Sequence, residues 1–183
     1  RGIDTERFTP EKRNGFFSRY GLGGSLKLLY VGRVSKEKNL ALLAESFRDL
    51  CAAGEDAHLA VVGDGPYLEE MRRELDGLPV TFTGYLDGEE LACAYACCDV
   101  FVFPSTTDTF GNVVLEAQAS GLPVVVSGEG GPRENVIDGE TGLVMERCDA
   151  AALVRCVRAL AADEGMRARM GRAAREAMEE RSF

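Results

Sequence analysis

Histidine is nearly absent: His58 is the only one among 183 residues. A Ser–His–Asp triad or an imidazole relay therefore has little material here, and His58, at the start of an apolar run, reads as structural. A basic excess is lacking too. Lys and Arg number 21 against 30 Asp and Glu, leaving a net charge of −9. Duplex-binding surfaces carry the opposite sign, so nucleic acid is not an expected partner. No apolar run reaches bilayer length, and no signal-peptide pattern opens the chain. No C-x-x-C pair meets a matching partner pair. The six cysteines (Cys51, Cys93, Cys97, Cys98, Cys148 and Cys156) are thus expected to be small buried thiols of a reducing cytosol, with disulfides and zinc as the weaker alternatives. No metal-ligand cluster is evident. Neither G-x-G-x-x-G nor G-x-x-x-x-G-K-[ST] follows any strand-like run, and repeats and low-complexity tracts are missing.

What is present is an ordinary globular composition, 45% apolar and 28% charged, which suits one domain. Apolar runs at 27–32, 58–63, 80–84 and 99–104, then PVVVS and GLVME, predict strands. Between them lie NLALLAESFRDLCAAG, GPYLEEMRRELDG, DGEELACAYACC and NVVLEAQASG, each with helical spacing. Asp87 and Glu90 have capping-box spacing. A short helix at 132–137 and two longer ones at 149–162 and 164–180 complete the list. Continuously apolar strands alternating with helices predict a parallel sheet covered on both faces. The expected fold is α/β, a Rossmann-like doubly wound sheet. Arg155, Arg158, Arg167, Arg169, Arg172 and Arg175 read as a salt-bridged outer face. Residues 1–26, rich in Gly, Arg and Pro, read as a linker. The start without Met and the stop at EERSF suggest a piece of a longer protein.

In such sheets ligands bind beyond the carboxyl ends of the strands. The segments there are GRVSKEKN, GDGP, GYLDG, PSTTDTFGN and SGEGGPREN. In the first, Arg33 offers a planar fork and Lys38 a point charge, a pair suited to a diphosphate, with Gly32 admitting close approach; a solvated basic turn is the plainer alternative. GDGP, with Gly63, is half a dinucleotide fingerprint or simply a tight turn before Pro66. Tyr85 fits either the border of a flat base or the edge of the core. The turn TFGN brings the N–H groups of Phe110, Gly111, Asn112 and Val113 to a helix N-terminus, a natural anion site. Glu116, one turn inside an apolar helix, is poorly explained as a surface residue. A carboxylate there can accept hydrogen bonds from vicinal hydroxyls, while Asp108 waits on the loop before it. Gly130 and Gly131 precede Pro132 and Glu134 in a turn able to aim N–H groups at an oxygen-rich ligand, or merely to enter a helix.

The ordered motifs RGID..RF.P, LLYVGR....K, VVGDGP, FTG, A..CDVFVFPS, DTFGNVVLEAQASGLPVV and GG..E.V.DG..G resemble the C-terminal, donor-binding domain of retaining GT-B glycosyltransferases of family 4, the glycosyltransferase group 1 enzymes. The match runs from about residue 1 to 165. It implies two Rossmann-like domains with the reaction between them, this chain supplying the donor half. It places Arg33, Lys38 and Asp108 at the reacting end. Gly32, Gly63, Tyr85, Phe110, Gly111, Asn112, Val113 and Glu116 would bind the donor, with Glu116 on the ribose. The family signature is two acidic residues separated by seven. Asp108 stands where Glu is usual and reaches one methylene less.

The resemblance implies no cofactor or metal, a UDP- or GDP-sugar as substrate, and a sugar or lipid-linked acceptor met through an absent N-terminal domain. Residues 1–26 become the linker from that domain, and 27–183 a nucleotide-sugar-binding domain truncated at its C-terminus. The expected location is the cytoplasm, with peripheral attachment at the inner membrane face open for the full-length protein. Transfer with retention of anomeric configuration is the expected reaction, the isolated fragment being inactive. The alternatives are a non-catalytic nucleotide-sugar-binding module and a sugar-nucleotide epimerase of related fold.

Overall fold

The computed structural model describes residues 2–21 and 26–182. Six strands form one parallel sheet: β1 (Leu26–Val31), β2 (Ala57–Val62), β3 (Val80–Gly84), β4 (Val100–Phe103), β5 (Val124–Ser127) and β6 (Gly142–Met145). Their order is β3-β2-β1-β4-β5-β6, the doubly wound arrangement expected from the alternation of elements. Every residue of β2, β4 and β5 is buried, which is why these strands read as unbroken apolar runs.

Helices cover both faces. Helix α1 (Leu40–Ala52) packs on α2 (Leu68–Glu74) and on α5 (Ala150–Ala162). On the other side α4 (Asn112–Ala119) packs on α3 (Gly88–Ala96) and α6 (Glu164–Glu179). The segment at 131–135 is a 3-10 helix, starting one residue before and ending two before the expected 132–137. Asp87 does sit at the N-cap of α3, but its side chain makes no capping bond. Glu90 turns outward instead to pair with Arg19 at 2.6 Å. His58 is buried against Thr81 Oγ1 at 2.9 Å. Burial, with Lys27 nearby, lowers its pKa and keeps it neutral. All six cysteines are free thiols; Cys93, Cys97 and Cys98 are buried in and just after α3. Among the described residues no helix is long and apolar enough to cross a membrane.

The strand ends are held together by backbone. Val34 N–H donates to Asp64 O at 2.9 Å, and Tyr67 N–H to Val34 O at 3.0 Å. The turn after β2 thus rides on the turn after β1. A Cβ on Gly63 would lie 1.9 Å from Gly32 O, so the glycine of GDGP is required by this contact before any ligand is considered.

The segment read as a linker is packed. Ile3, Phe8 and Phe17 are buried. Ile3 N–H donates to Arg181 O at 3.1 Å. Arg175, expected on a solvated face, points its Nη1 at Thr5 O, Phe8 O and Ala119 O, at 3.1, 2.8 and 2.8 Å. Phe8 meets the Tyr95 ring edge-on, centroids 5.7 Å apart. Emptying that space should be costly: Phe8→Ala is expected to lower unfolding free energy by about 3 kcal/mol, measured by urea denaturation. An unchanged midpoint would mean that the segment does not belong to the core.

Candidate functional site

The ladder between β1 and β4 ends at Leu29–Phe101, short of both strand ends. Connections leave the two strands toward opposite faces at this point, and a crevice opens above them. It holds two adjoining cavities that share Val31, Gly32 and Val113. The larger, about 470 Å³, is also lined by Arg33, Gly63, Asp64, Tyr85, Leu86, Asp87, Leu91 and Glu116. The smaller, about 310 Å³, is lined by Lys38, Phe103, Asp108 and residues 109–112. Every residue singled out as catalytic or donor-binding therefore lines one of the two. Arg33 lines the larger and Lys38 the smaller.

Arg33 is held from behind. Tyr30 OH donates to Arg33 O at 2.8 Å, and the Tyr30 ring stacks on Phe103 with centroids 5.8 Å apart. The guanidinium itself is exposed and has no hydrogen-bond or ion-pair partner among the described residues. Lys38 differs. Its Nζ lies 2.9 Å from both Oδ1 and Oδ2 of Asp108, with both side chains about four-fifths buried. Ser105 Oγ also donates to Asp108. Asp108 thus faces the cavity as half of an ion pair, not as a lone acid. An ammonium has three N–H donors, so this pair leaves one for a ligand.

Helix α4 begins behind Gly111, whose φ of +80° suits glycine. No side chain caps the helix, and its first turn has no acidic residue. Its first N–H groups and the positive end of its dipole thus face the smaller cavity. The loop before it is fixed from below: Gly131 N–H donates to Asp108 O at 2.9 Å, and Asn135 Nδ2 to Phe110 O at 2.7 Å. The Gly131 amide is therefore taken up by the loop.

Glu116 lies at the fifth position of α4, between buried Leu115 and Ala117. Its Oε1 accepts a hydrogen bond from Tyr95 OH at 2.8 Å. Tyr95 is a partner the sequence reading missed, since ACAYACC shows only a helix with an apolar face. Burial raises the Glu116 pKa, while the Tyr95 bond and Arg7 pull it down. Among the described residues no group of three or more His, Cys, Asp or Glu is placed to hold a metal ion.

Parallel strands thus carry an uncapped helix start, an exposed guanidinium and a half-buried acid to one crevice. The model of the family described as glycosyl transferases group 1 matches residues 16–177, and the chain belongs to that family. It is 40% identical over 185 residues to sulfoquinovosyl transferase SQD2 of Arabidopsis thaliana, covering 98% of this chain and 36% of the relative. It is 37% identical to a GDP-mannose-dependent alpha-(1-6)-phosphatidylinositol monomannoside mannosyltransferase of Mycolicibacterium smegmatis, covering 95% and 49%. The chain thus spans half or less of the length of these curated relatives. Among solved structures, Anabaena Alr3699/HepE in complex with UDP and glucose superposes with a TM-score of 0.87 at 21% identity, over 99% of this chain and 51% of that one. The C-terminal domain of the glycosyl transferase group 1 protein LpcC from Francisella tularensis gives 0.86 at 22% identity, over 98% and 97%. The fold is one Rossmann-like half of the GT-B architecture.

An acid whose pKa is raised by folding destabilises the native state once pH exceeds its unfolded value, because the unfolded chain releases the proton more readily. Glu116→Gln is therefore expected to raise the melting temperature at pH 7 by about 2–4 °C. The gain should fade as pH drops through the ordinary carboxylate range. A loss of stability at pH 7, read by calorimetry, would contradict this account of the site.

Proposed function

We propose that this chain is the donor-binding half of a retaining glycosyltransferase. It holds a nucleoside diphosphate sugar for transfer to an acceptor bound by an N-terminal domain reached through residues 1–26. The observation that carries this reading is the pair of cavities joined at Val31, Gly32 and Val113. The larger suits a nucleoside: Tyr85, 74% exposed at its lip, borders the base, and Glu116 accepts from the ribose hydroxyls. The smaller takes the sugar at Asp108. The diphosphate spans the junction, between Arg33, the remaining N–H of Lys38 and the amides of Phe110 to Val113.

As the glycosidic bond to the diphosphate breaks, negative charge grows on the leaving oxygen. Arg33 and the α4 N-terminus, each lining one of the joined cavities, would stabilise that charge. Asp108 limits how much Lys38 adds, because its carboxylate neutralises the ammonium in the free protein. The same carboxylate accepts a hydrogen bond from the donor sugar. Relatives are named for GDP-mannose, and a solved neighbour contains UDP; the donor proposed here carries one of these two nucleotides. Retention and the need for a second domain rest on family resemblance. The acceptor is a sugar or a lipid-linked molecule, and the place of work is the cytoplasm or its membrane face.

Titration calorimetry with UDP, GDP, UDP-glucose and GDP-mannose tests this. One nucleotide should bind, and Arg33→Ala should weaken it by roughly 10- to 100-fold. Asp108→Asn should strengthen the bare nucleotide about fivefold by freeing Lys38, while weakening the nucleotide sugar relative to it. Failure of both nucleotides to bind, or indifference to Arg33→Ala, would remove the assignment.

A further inference from the structure

Glu116 stands in a wall between two hollows. In front lies the 470 Å³ cavity assigned to the nucleoside. Behind lies another of about 200 Å³, lined by Gly2, Ile3, Asp4, Phe8, Asn112 and Leu115 as well as by Glu116 itself. A glutamate side chain has three rotatable bonds, and its carboxylate gains solvation on either side. Geometry alone does not choose the front.

Tyr95 limits that freedom. It is fully buried, its ring clamped between Phe8 at 5.7 Å and Phe101 at 5.8 Å. A clamped ring fixes the hydroxyl, and a buried phenol needs an acceptor. That acceptor is Oε1 of Glu116 at 2.8 Å, while Oε2 has no hydrogen-bond partner among the described residues. Resting on the donor-site reading above, we propose that Tyr95 is a positioning residue for ribose recognition: it holds one oxygen of Glu116 so that the other is presented, ionised, to the sugar hydroxyls. Tyr95 does not touch the ligand; it acts only through the acid.

Charge supports the same role. Burial, then the nearby Glu116, drives the Tyr95 pKa well above that of free tyrosine, so the phenol remains a donor. The bond opposes the rise that burial imposes on Glu116. Other groups facing this acid are Arg7 and Asp4 on the N-terminal segment, and Arg33, Asp64 and Asp87 on the loops after β1, β2 and β3.

The test is Tyr95→Phe, which keeps the ring and its packing. UDP or GDP, whichever binds, is compared with its 2′,3′-dideoxy form. In the wild type the dideoxy form should bind more weakly. Tyr95→Phe should weaken the ribonucleotide by roughly tenfold and leave the dideoxy form unchanged. In a Glu116→Ala background the same substitution should have no further effect. The ribose-dependent part of the affinity, taken as the ratio between the two ligands so that phosphate titration cancels, falls as acid protonates Glu116. That fall should move to higher pH in Tyr95→Phe. Equal losses for both ligands, or an unmoved pH profile, would assign Tyr95 a structural role only and overturn the inference. If the wild type binds neither nucleotide, or binds both forms alike, the donor-site reading fails first. If the wild type prefers ribose and Tyr95→Phe keeps that preference, only the role of Tyr95 fails.

Discussion

Everything at this site depends on β1 lying beside β4 and on how briefly the two strands pair. Their ladder ends at Leu29–Phe101, whereas β1 pairs with β2 from Leu26–Ala57 to Val31–Val62. Beyond the last β1–β4 pair the chains leave toward opposite faces, and Val31 and Phe103 line the gap that opens. The crevice is a consequence of strand order, and the polar loops inherit it. Stacking of Tyr30 on Phe103 and the bond from Tyr30 to the Arg33 carbonyl make its floor rigid. The bond fixes the Arg33 backbone, while its guanidinium stays exposed to solvent.

Electrostatics in the crevice is arranged in degrees of commitment. Among the described residues Arg33 has no ion-pair partner and the α4 start is uncapped, so both are available at once. Lys38 is committed to Asp108 through two contacts at 2.9 Å. Such a pair, mostly out of water, keeps the smaller cavity near neutrality until an anion arrives and takes a share of the ammonium. On the proposed reading, the cavity would distinguish a bare diphosphate from one carrying a sugar, because only the latter gives Asp108 something in return. Glu116 shows the complementary compromise. Its carboxylate is unfavourable where it stands, and it persists beside Leu115 and Ala117 because Tyr95 satisfies half of it. Stability is given up locally for a site that fits a ligand.

The sheet was legible because parallel strands buried on both sides leave no polar alternation to misread. The crevice was legible because loops at strand ends carried Arg, Lys, Asp and Gly together. Partnerships were not. Nothing in the spacing of Lys38 and Asp108, seventy residues apart, shows that they meet; that depends on how two loops fold over β1 and β4. Tyr95 was hidden for another reason. An aromatic at helical spacing among alanines and cysteines is what a packed helix needs anyway, so its hydroxyl carried no separate signal. GDGP allowed two readings, and the structure gives Gly63 both a contact with Gly32 O that requires glycine and a place in the lining of the larger cavity. Asp87 and Glu90 had the spacing of a capping box, yet Arg19, far away in sequence, takes Glu90. Residues 1–26 were judged by their Gly and Pro, while the informative residues were Ile3, Phe8 and Phe17.

That N-terminal segment ties the site to the rest of the molecule. Phe8 packs on the ring that orients Glu116. Ile3 and Thr5 bond to Arg181 and Ser182, while Arg175 gathers the carbonyls of Thr5, Phe8 and Ala119. Three pieces of chain, remote in sequence, are thereby joined behind one carboxylate. Sliding the segment would withdraw Phe8 from the Tyr95 ring and loosen the hydroxyl that Glu116 depends on. The same motion would leave the Arg33 side of the crevice, built on β1 and β2 backbone, untouched. Helix α4 carries both the amides proposed for the phosphates and the acid proposed for the ribose, and Arg175 ties its last residue, Ala119, to that same segment.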